Sequence, residues 1–152
     1  MDAARRRALI ERYKDGYSAV CEALDQLTEA ELDARPADGW TLREVAHHLA
    51  DSETMSYIRL RRLLAEDHPV IQGYDEPEYA RRLHYDRPIA SSLEVFRAVR
   101  VASAELLESL SEDEWAREGT HSESGRYTMD DWLEIYAAHA HDHAAQILAF
   151  RQ

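Results

Sequence analysis

Histidines near the end of the chain are spaced for metal binding. Residues 139–143 read His-Ala-His-Asp-His. On a helix, residues four apart lie one above the other, so His139 and His143 would share a face while His141 points away. Two imidazoles arranged in this way can supply two ligands to a transition metal. The same face is expected to carry Trp132, Ile135, Tyr136, Gln146, Ile147 and Phe150. We therefore expect the pair to point inward, where each imidazole needs a partner.

A third histidine is available on an earlier helix. His47 and His48 are adjacent, so only one of them can point toward the core. At about 100° per residue, His48 falls beside Val45 and Ser52 at the edge of the apolar sector, and His47 falls farther round. We select His48, although the angular margin is small. Three imidazoles with an open fourth position are typical of catalytic zinc sites, and imidazole also suits nickel, iron and copper. The competing interpretation is that the inward histidines are hydrogen-bonded core residues.

Amphipathic helices must position these side chains. Apolar residues at helical spacing predict four of them, over residues 3–26, 41–66, 91–110 and from 128 onward. Thr41 and Glu44 form a capping box, in which each side chain satisfies a free backbone N–H at the helix start. Thr128 and Asp131 repeat the pattern before the last helix. Four helices of about 20 residues joined by one long connection predict an all-α four-helix bundle.

The connections between these helices are unequal in length. Residues 67–90 contain three prolines and a glycine and are expected to form a long connection with a short helix near residues 76–83. Residues 32–39 and 117–127 are expected to be loops, and no segment shows a strand pattern. Long loops in small domains are usually functional. We therefore expect residues 67–90 and 117–127 to shape a pocket.

Composition narrows the functional class. A chain of 152 residues is expected to form a single domain over residues 1–152. The formal net charge of −12 argues against nucleic-acid binding, which depends on neutralising phosphates. Cys21 is the one cysteine, which suits a reducing compartment. We see no signal peptide and no membrane-spanning run, so the expectation is a cytoplasmic protein with no membrane partner.

Several segments resemble one family. Residues 39–53 read GWTLREVAHHLADSE, residues 72–78 read QGYDEPE, residues 125–128 read GRYT and residues 139–147 read HAHDHAAQI. In order and spacing they resemble the DinB-like/YfiT-like superfamily of metal-dependent enzymes, over nearly the whole chain. The resemblance implies a four-helix bundle of up-up-down-down type and a homodimer.

The resemblance also implies a site. Its metal ligands fall on His48, His139 and His143, the residues reached from helical geometry. Gln146 follows the last ligand by three residues, as in the family pattern, and is expected to orient a group in the pocket. Zinc or nickel is the expected divalent metal, with iron or manganese as alternatives.

The expected activity is hydrolysis of an unidentified small molecule by a metal-bound water. One alternative is a thiol-dependent S-transferase or isomerase, in which the metal activates a low-molecular-weight thiol. Another is a metal-binding, stress-related dimer without turnover. These alternatives stay open at the level of sequence.

Candidate residues accompany each possibility. Asp51, Glu53 and Asp142 are candidates for the general base of a hydrolase. Arg100 is a candidate clamp for a thiol cofactor, unless its stem packs in the core and its charge reaches water. His121 is a candidate fourth ligand, which would close the metal site and favour a protein without turnover.

Overall fold

The computed structural model describes residues 1–36 and 39–151. Within them, the helices and strands follow in this order: α1 (Ala3–Leu24), α2 (Glu29–Asp33), α3 (Leu42–Ala65), β1 (Val70–Ile71), α4 (Glu76–Arg82), α5 (Ala90–Glu108), α6 (Glu112–Trp115), β2 (Glu118–His121), β3 (Gly125–Thr128) and α7 (Met129–Phe150). The long helices α1, α3, α5 and α7 form the predicted four-helix bundle. Part of the predicted 32–39 connection lies outside the described residues.

Both predicted capping boxes are present. The Thr41 hydroxyl accepts a hydrogen bond from the Glu44 backbone N–H at 3.1 Å, and the Glu44 carboxylate accepts one from the Thr41 N–H at 2.8 Å. Thr128 and Asp131 make the same reciprocal pair at the start of α7. These boxes begin the two helices that carry the candidate metal ligands, so local sequence determines where α3 and α7 start.

The core separates into two clusters, which reveal the helix directions. One cluster contains Val20 of α1, Val45 of α3, Phe96 of α5 and Ile147 of α7. The other joins the first half of α1 and α7 to the last half of α3 and α5, through Ile10, Leu63, Leu107 and Trp132. Helices α1 and α7 are therefore parallel to each other and antiparallel to α3 and α5.

The resulting order is up-down-down-up, and the expected up-up-down-down order is wrong. Helix α5 starts at the same end of the bundle as α3, so the chain between them must return along the length of the bundle. A helix of 24 residues such as α3 is about 36 Å long. This return accounts for the long connection predicted from residues 67–90.

The segment predicted as a polar loop forms a small sheet, so the absence of strands was a wrong prediction. Strands β2 and β3 pair antiparallel, and β1 adds to β2 in parallel. Gly125 has φ +82°, a conformation that favours glycine. Ile71 and Tyr127 are buried against the bundle. These strands are too short to show a periodic pattern, and their stability depends on this tertiary packing.

The buried face of α7 differs from the predicted stripe. Trp132, Tyr136 and Ile147 are buried as expected, whereas Ile135 is 48% exposed and Phe150 is 37% exposed. Alanines complete the buried face instead: Ala137, Ala140 and Ala144. The histidine edge of α7 therefore lies at the border between core and solvent. None of the described helices has the length and apolar character needed to cross a bilayer.

Candidate metal centre

Three histidines from two antiparallel helices meet beside the core. One ring nitrogen each from His48, His139 and His143 lies within 4.8 Å of the others. The Nε2 atoms of His48 and His139 are 3.2 Å apart. Two ligand nitrogens at the usual 2.0–2.1 Å from a tetrahedral zinc ion would be about 3.3 Å apart. The donor set and its spacing therefore fit a transition metal.

Helix starts and packing place these rings. His48 lies in the second turn of α3, shortly after the Thr41 capping box, and the Trp40 ring packs against it with centroids 4.7 Å apart. His139 and His143 lie one turn apart on α7, with ring centroids 4.7 Å apart. Because α3 and α7 are antiparallel, the start of α3 faces the second half of α7.

Burial keeps two of the imidazoles neutral. It lowers the pKa of His48 to about 4, with a smaller effect from the nearby His143. Burial also lowers the pKa of His139 to about 2, with smaller effects in the same direction from the nearby His143 and His48. A neutral imidazole has the free lone pair that a metal requires. Among the described residues, the buried Nδ1 atom of His139, on the side of the ring opposite the Nε2 atom that faces His48, has no hydrogen-bond partner.

Gln146 orients one of the rings. Its Oε1 atom lies 2.8 Å from Nδ1 of His143. Because an amide oxygen only accepts hydrogen bonds, Nδ1 is the protonated nitrogen and the lone pair of Nε2 is free. Outer partners of this kind fix the tautomer of metal-binding histidines. The group that Gln146 was expected to orient is His143 itself.

The other two histidines of these segments have structural contacts. His47 was expected to point away from the core, which was wrong: it is fully buried, with Nδ1 2.8 Å from the Ser92 hydroxyl and Nε2 2.9 Å from the Arg87 carbonyl oxygen. His47 therefore ties α3 to the start of α5. His141 is directed away from the cluster, as predicted, and its Nε2 donates to the Arg12 carbonyl oxygen at 2.9 Å.

The predicted carboxylates Asp51, Glu53 and Asp142 do not line the cavity that adjoins the three histidines. Asp51 accepts a hydrogen bond from the Tyr85 hydroxyl at 2.5 Å. Glu53 is 0% exposed and accepts one from Arg100 at 2.8 Å, so it has no access to substrate. Asp142 is exposed on the outer side of α7. Sequence proximity to the histidines was a poor guide for Asp51 and Asp142, because Asp51 is bonded to Tyr85 and Asp142 is exposed to solvent.

Arg100 is a buried structural residue. Both interpretations from sequence, a cofactor clamp and a charge reaching water, were wrong, because the side chain is only 2% exposed. Its guanidinium donates to Glu53, to the Tyr13 carbonyl oxygen and, at 2.7 Å, to the Tyr136 carbonyl oxygen. Arg100 therefore links α5 to α1, α3 and α7 through hydrogen bonds.

A cavity of about 220 Å³ adjoins the metal centre. His139 and Tyr136 form part of its wall, and the connections predicted to shape a pocket supply much of the rest. The lining is Ser52, Arg59, Gly73, Tyr74, Glu76, His121, Glu123, Ile135, Tyr136 and His139. Larger cavities of about 440 and 390 Å³ lie between α1 and α5, and none of the histidines lines them.

His121 lines this cavity but does not join the three-histidine cluster. Its Nδ1 accepts a hydrogen bond from the Glu123 backbone N–H at 3.3 Å. Sequence reasoning missed Arg59, Glu76 and Glu123, which line the same cavity. The expectation that two connections shape a pocket could have pointed to Glu76 and Glu123, whereas nothing distinguished Arg59 from the other arginines of its helix.

Comparisons with known proteins agree with this geometry. A model of the DinB superfamily matches residues 12–147. A protein of Oceanobacillus iheyensis named "Putative metal-dependent hydrolase" is 42% identical over 109 residues, which are 72% of this chain and 63% of that protein. A Bacillus cereus protein of the same name is 30% identical over 144 residues, covering 94% of this chain and 83% of its own length.

A solved structure shares the whole fold. The Bacillus subtilis protein YfiT, described as a probable metal-dependent hydrolase with an unusual four-helix bundle topology, superposes with a TM-score of 0.93 at 27% identity. The match covers 99% of this chain and 87% of YfiT. The family model, the relatives and the shared bundle confirm the resemblance seen in the sequence motifs. The chain belongs to the DinB superfamily.

Proposed function

We propose that this protein is a metal-dependent hydrolase in which His48, His139 and His143 hold a divalent transition metal, zinc or nickel. The principal observation is the convergence of three ring nitrogens within 4.8 Å, two of them on imidazoles kept neutral by burial. The relatives named as metal-dependent hydrolases support the same activity. The substrate would be a small molecule, because the adjoining cavity is about 220 Å³.

The donor set favours a catalytic site over a closed structural one. No fourth His, Cys, Asp or Glu of the described residues belongs to the cluster. A divalent metal held by three histidines supplies a Lewis acid and lowers the pKa of a bound water. The chain's own contribution is to orient the imidazoles, through Gln146 on His143 and Trp40 against His48.

Proton transfer would fall to groups in the cavity. Glu76 and Glu123 line the cavity that reaches His139, so they replace Asp51, Glu53 and Asp142 as candidates for the general base. The thiol-dependent alternative loses its candidate residue, because Arg100 is buried among backbone carbonyls and Glu53. We therefore place hydrolysis first.

Metal content tests the proposed site. Untagged wild-type protein is expected to contain about one equivalent of a transition metal by elemental mass spectrometry, because three imidazole nitrogens converge within 4.8 Å of one another. A His139→Ala/His143→Ala variant is expected to lose it. His141→Ala is the matched control, since this histidine lies between the two ligands on α7 and contacts Arg12 instead.

Two outcomes would contradict the proposal. One is a wild-type protein that neither contains metal nor takes up added zinc or nickel. The other is equal metal loss in His141→Ala and in the double variant. Circular dichroism of each variant would show whether the helices are retained.

A further inference from the structure

Arg59 and Tyr136 form a hydrogen-bonded pair in the wall of the cavity beside the metal centre. Arg59 Nη1 donates to the Tyr136 hydroxyl oxygen at 3.1 Å, and Nη2 donates to the Gln72 carbonyl oxygen at 2.9 Å. Tyr136 precedes His139 by three residues on α7, and their ring centroids are 6.2 Å apart. Both side chains line the cavity that His139 also lines.

The hydroxyl of Tyr136 has a proton to donate. Its oxygen accepts from Arg59, but none of the described residues accepts the hydroxyl proton. Tyr136 is only 3% exposed, and the cavity that it lines is the space from which an acceptor can approach this side chain. Burial raises the pKa of Tyr136 and the charge of Arg59 opposes that rise. A phenol hydroxyl carries its proton at neutral pH, and here its oxygen lies 3.1 Å from the guanidinium of Arg59, whose positive charge polarises it.

We propose that Tyr136 is a catalytic residue of this site and that Arg59 is its positioning residue. This inference rests on the proposed hydrolase function. Tyr136 donates a hydrogen bond to the carbonyl oxygen of the substrate, and Arg59 holds the phenol in place and strengthens it as a donor. Donors fixed where negative charge develops are among the largest contributions to catalysis.

The chemistry of hydrolysis explains why a donor is needed there. The oxygen of water bonds to the carbonyl carbon, and the π electron pair of the C=O bond moves onto the carbonyl oxygen. That oxygen is negative until the pair returns and the bond to the leaving group breaks, with a proton from water passing to the leaving group. Tyr136 stabilises the oxygen while it is negative, and keeps its own proton.

Charges in the cavity indicate the substrate class. Glu76 and Glu123 line the same cavity as Arg59, whose guanidinium bonds to the Tyr136 hydroxyl and the Gln72 carbonyl oxygen and forms no ion pair with a carboxylate among the described residues. Two carboxylates would repel a substrate that is already anionic. The cavity of about 220 Å³ is also smaller than the roughly 300–1,000 Å³ typical of drug-sized ligands. These features favour a small, neutral ester or amide, whose oxygen becomes negative only during the reaction.

The test compares Tyr136→Phe with Tyr57→Phe in zinc-loaded, full-length protein. Tyr57 is the matched control, because it also contacts an arginine, Arg61, but does not line the cavity. The probe is acetamide, a small neutral carbonyl compound that does not chelate zinc, and its binding is measured by isothermal titration. We expect Tyr136→Phe to bind it about fivefold more weakly or worse, and Tyr57→Phe to match the wild type.

Kinetics separate a catalytic role from simple binding. With p-nitrophenyl acetate as substrate, kcat of Tyr136→Phe is expected to fall about 10²-fold, more than its loss of probe affinity, because the hydrogen bond strengthens as charge develops. Arg59→Met is expected to lower kcat as well, and Arg59→Lys to recover part of it.

Equal probe affinity in the wild type and Tyr136→Phe, or no probe binding by the wild type, would overturn the inference. Failure of the protein to take up zinc would instead contradict the proposed function. The comparison of the two tyrosine variants would then be made with metal-free protein. In metal-free protein, weaker probe binding by Tyr136→Phe but not by Tyr57→Phe would still support the donor role of Tyr136. Equal probe binding by the wild type and Tyr136→Phe would refute it.

Discussion

His143 shows how much a single hydrogen bond can decide. A histidine has two ring nitrogens, and either can face a metal. The Gln146 oxygen, 2.8 Å from Nδ1, leaves Nε2 as the free lone pair of His143. The i, i+3 spacing on α7 makes this contact possible without any tertiary partner. The residue that orients His143 is therefore local in sequence, whereas one of the two histidines that accompany it in the cluster, His48, comes from another helix.

Gln146→Ala is expected to weaken metal binding about 10- to 100-fold, because the ring of His143 loses its fixed tautomer and orientation. Zinc affinity measured by competition with a chromogenic chelator would check this. Asp142→Ala is the control, as Asp142 is an exposed neighbour of His143 on the same helix. Similar affinities for the two variants would show that Gln146 has no orienting role.

The helices α1, α5 and α7 meet around one glycine. Gly16 is buried on α1, and a Cβ atom there would collide with Nη1 of Arg100 and lie 2.8 Å from Cβ of Ala140. The missing side chain makes room for the Arg100 guanidinium, which bonds to Glu53 and to the backbone of two helices. The close packing of α1 on α7 and the buried ion pair therefore depend on the same small residue.

Gly16→Ala is expected to lower the free energy of unfolding by about 3 kcal/mol, even though alanine is the better helix former. The added methyl group overpacks the junction and displaces a buried charged group, and both effects are destabilising. Urea denaturation followed by circular dichroism would measure it. Ser18→Ala, at an exposed position of the same helix, should be within about 0.5 kcal/mol of the wild type. A Gly16→Ala protein as stable as Ser18→Ala would contradict this account.

The direction of the helices determines the site at the scale of the whole molecule. Because α3 and α7 are antiparallel, the early turns of α3 meet the later turns of α7, and His48 meets His139 and His143. The long return between α3 and α5 then supplies Tyr74 and Glu76 to the adjoining cavity, and the β2–β3 hairpin supplies His121 and Glu123. Homodimerisation stays a prediction of the family resemblance.

A metal bound between α3 and α7 should stabilise the whole fold. At a free zinc concentration of about 100 times the Kd, binding contributes roughly 2.7 kcal/mol. For a chain of this size that corresponds to a rise in Tm of about 5–10 °C. Calorimetry with and without zinc would measure the rise, and EDTA should reverse it. An equal rise in the His139→Ala/His143→Ala variant would mean that zinc stabilises the protein at another place.

Much of the fold and the ligand set could be predicted because the relevant signals are local. Capping boxes at Thr41 and Thr128 mark helix starts, and the spacing of His139 and His143 places them on one face. The short strands could not be predicted, since residues 118–128 contain no long periodic run and are stabilised by packing on the bundle. The exposure of Ile135 also escaped prediction, because small alanines form the packed face of α7.

By itself, the sequence determined the four long helices, the candidate ligand set His48, His139 and His143, and the family. These depend on the spacing of residues within each of several segments, which a linear pattern records. Only the tertiary structure decided the up-down-down-up order, the burial of His47 and Arg100, and the presence of Arg59, Tyr136, Glu76 and Glu123 in one cavity. Those properties depend on which helix faces another and in which direction. The packing of the whole core determines which helices face one another and in which direction, because the residues that pack there are far apart in sequence.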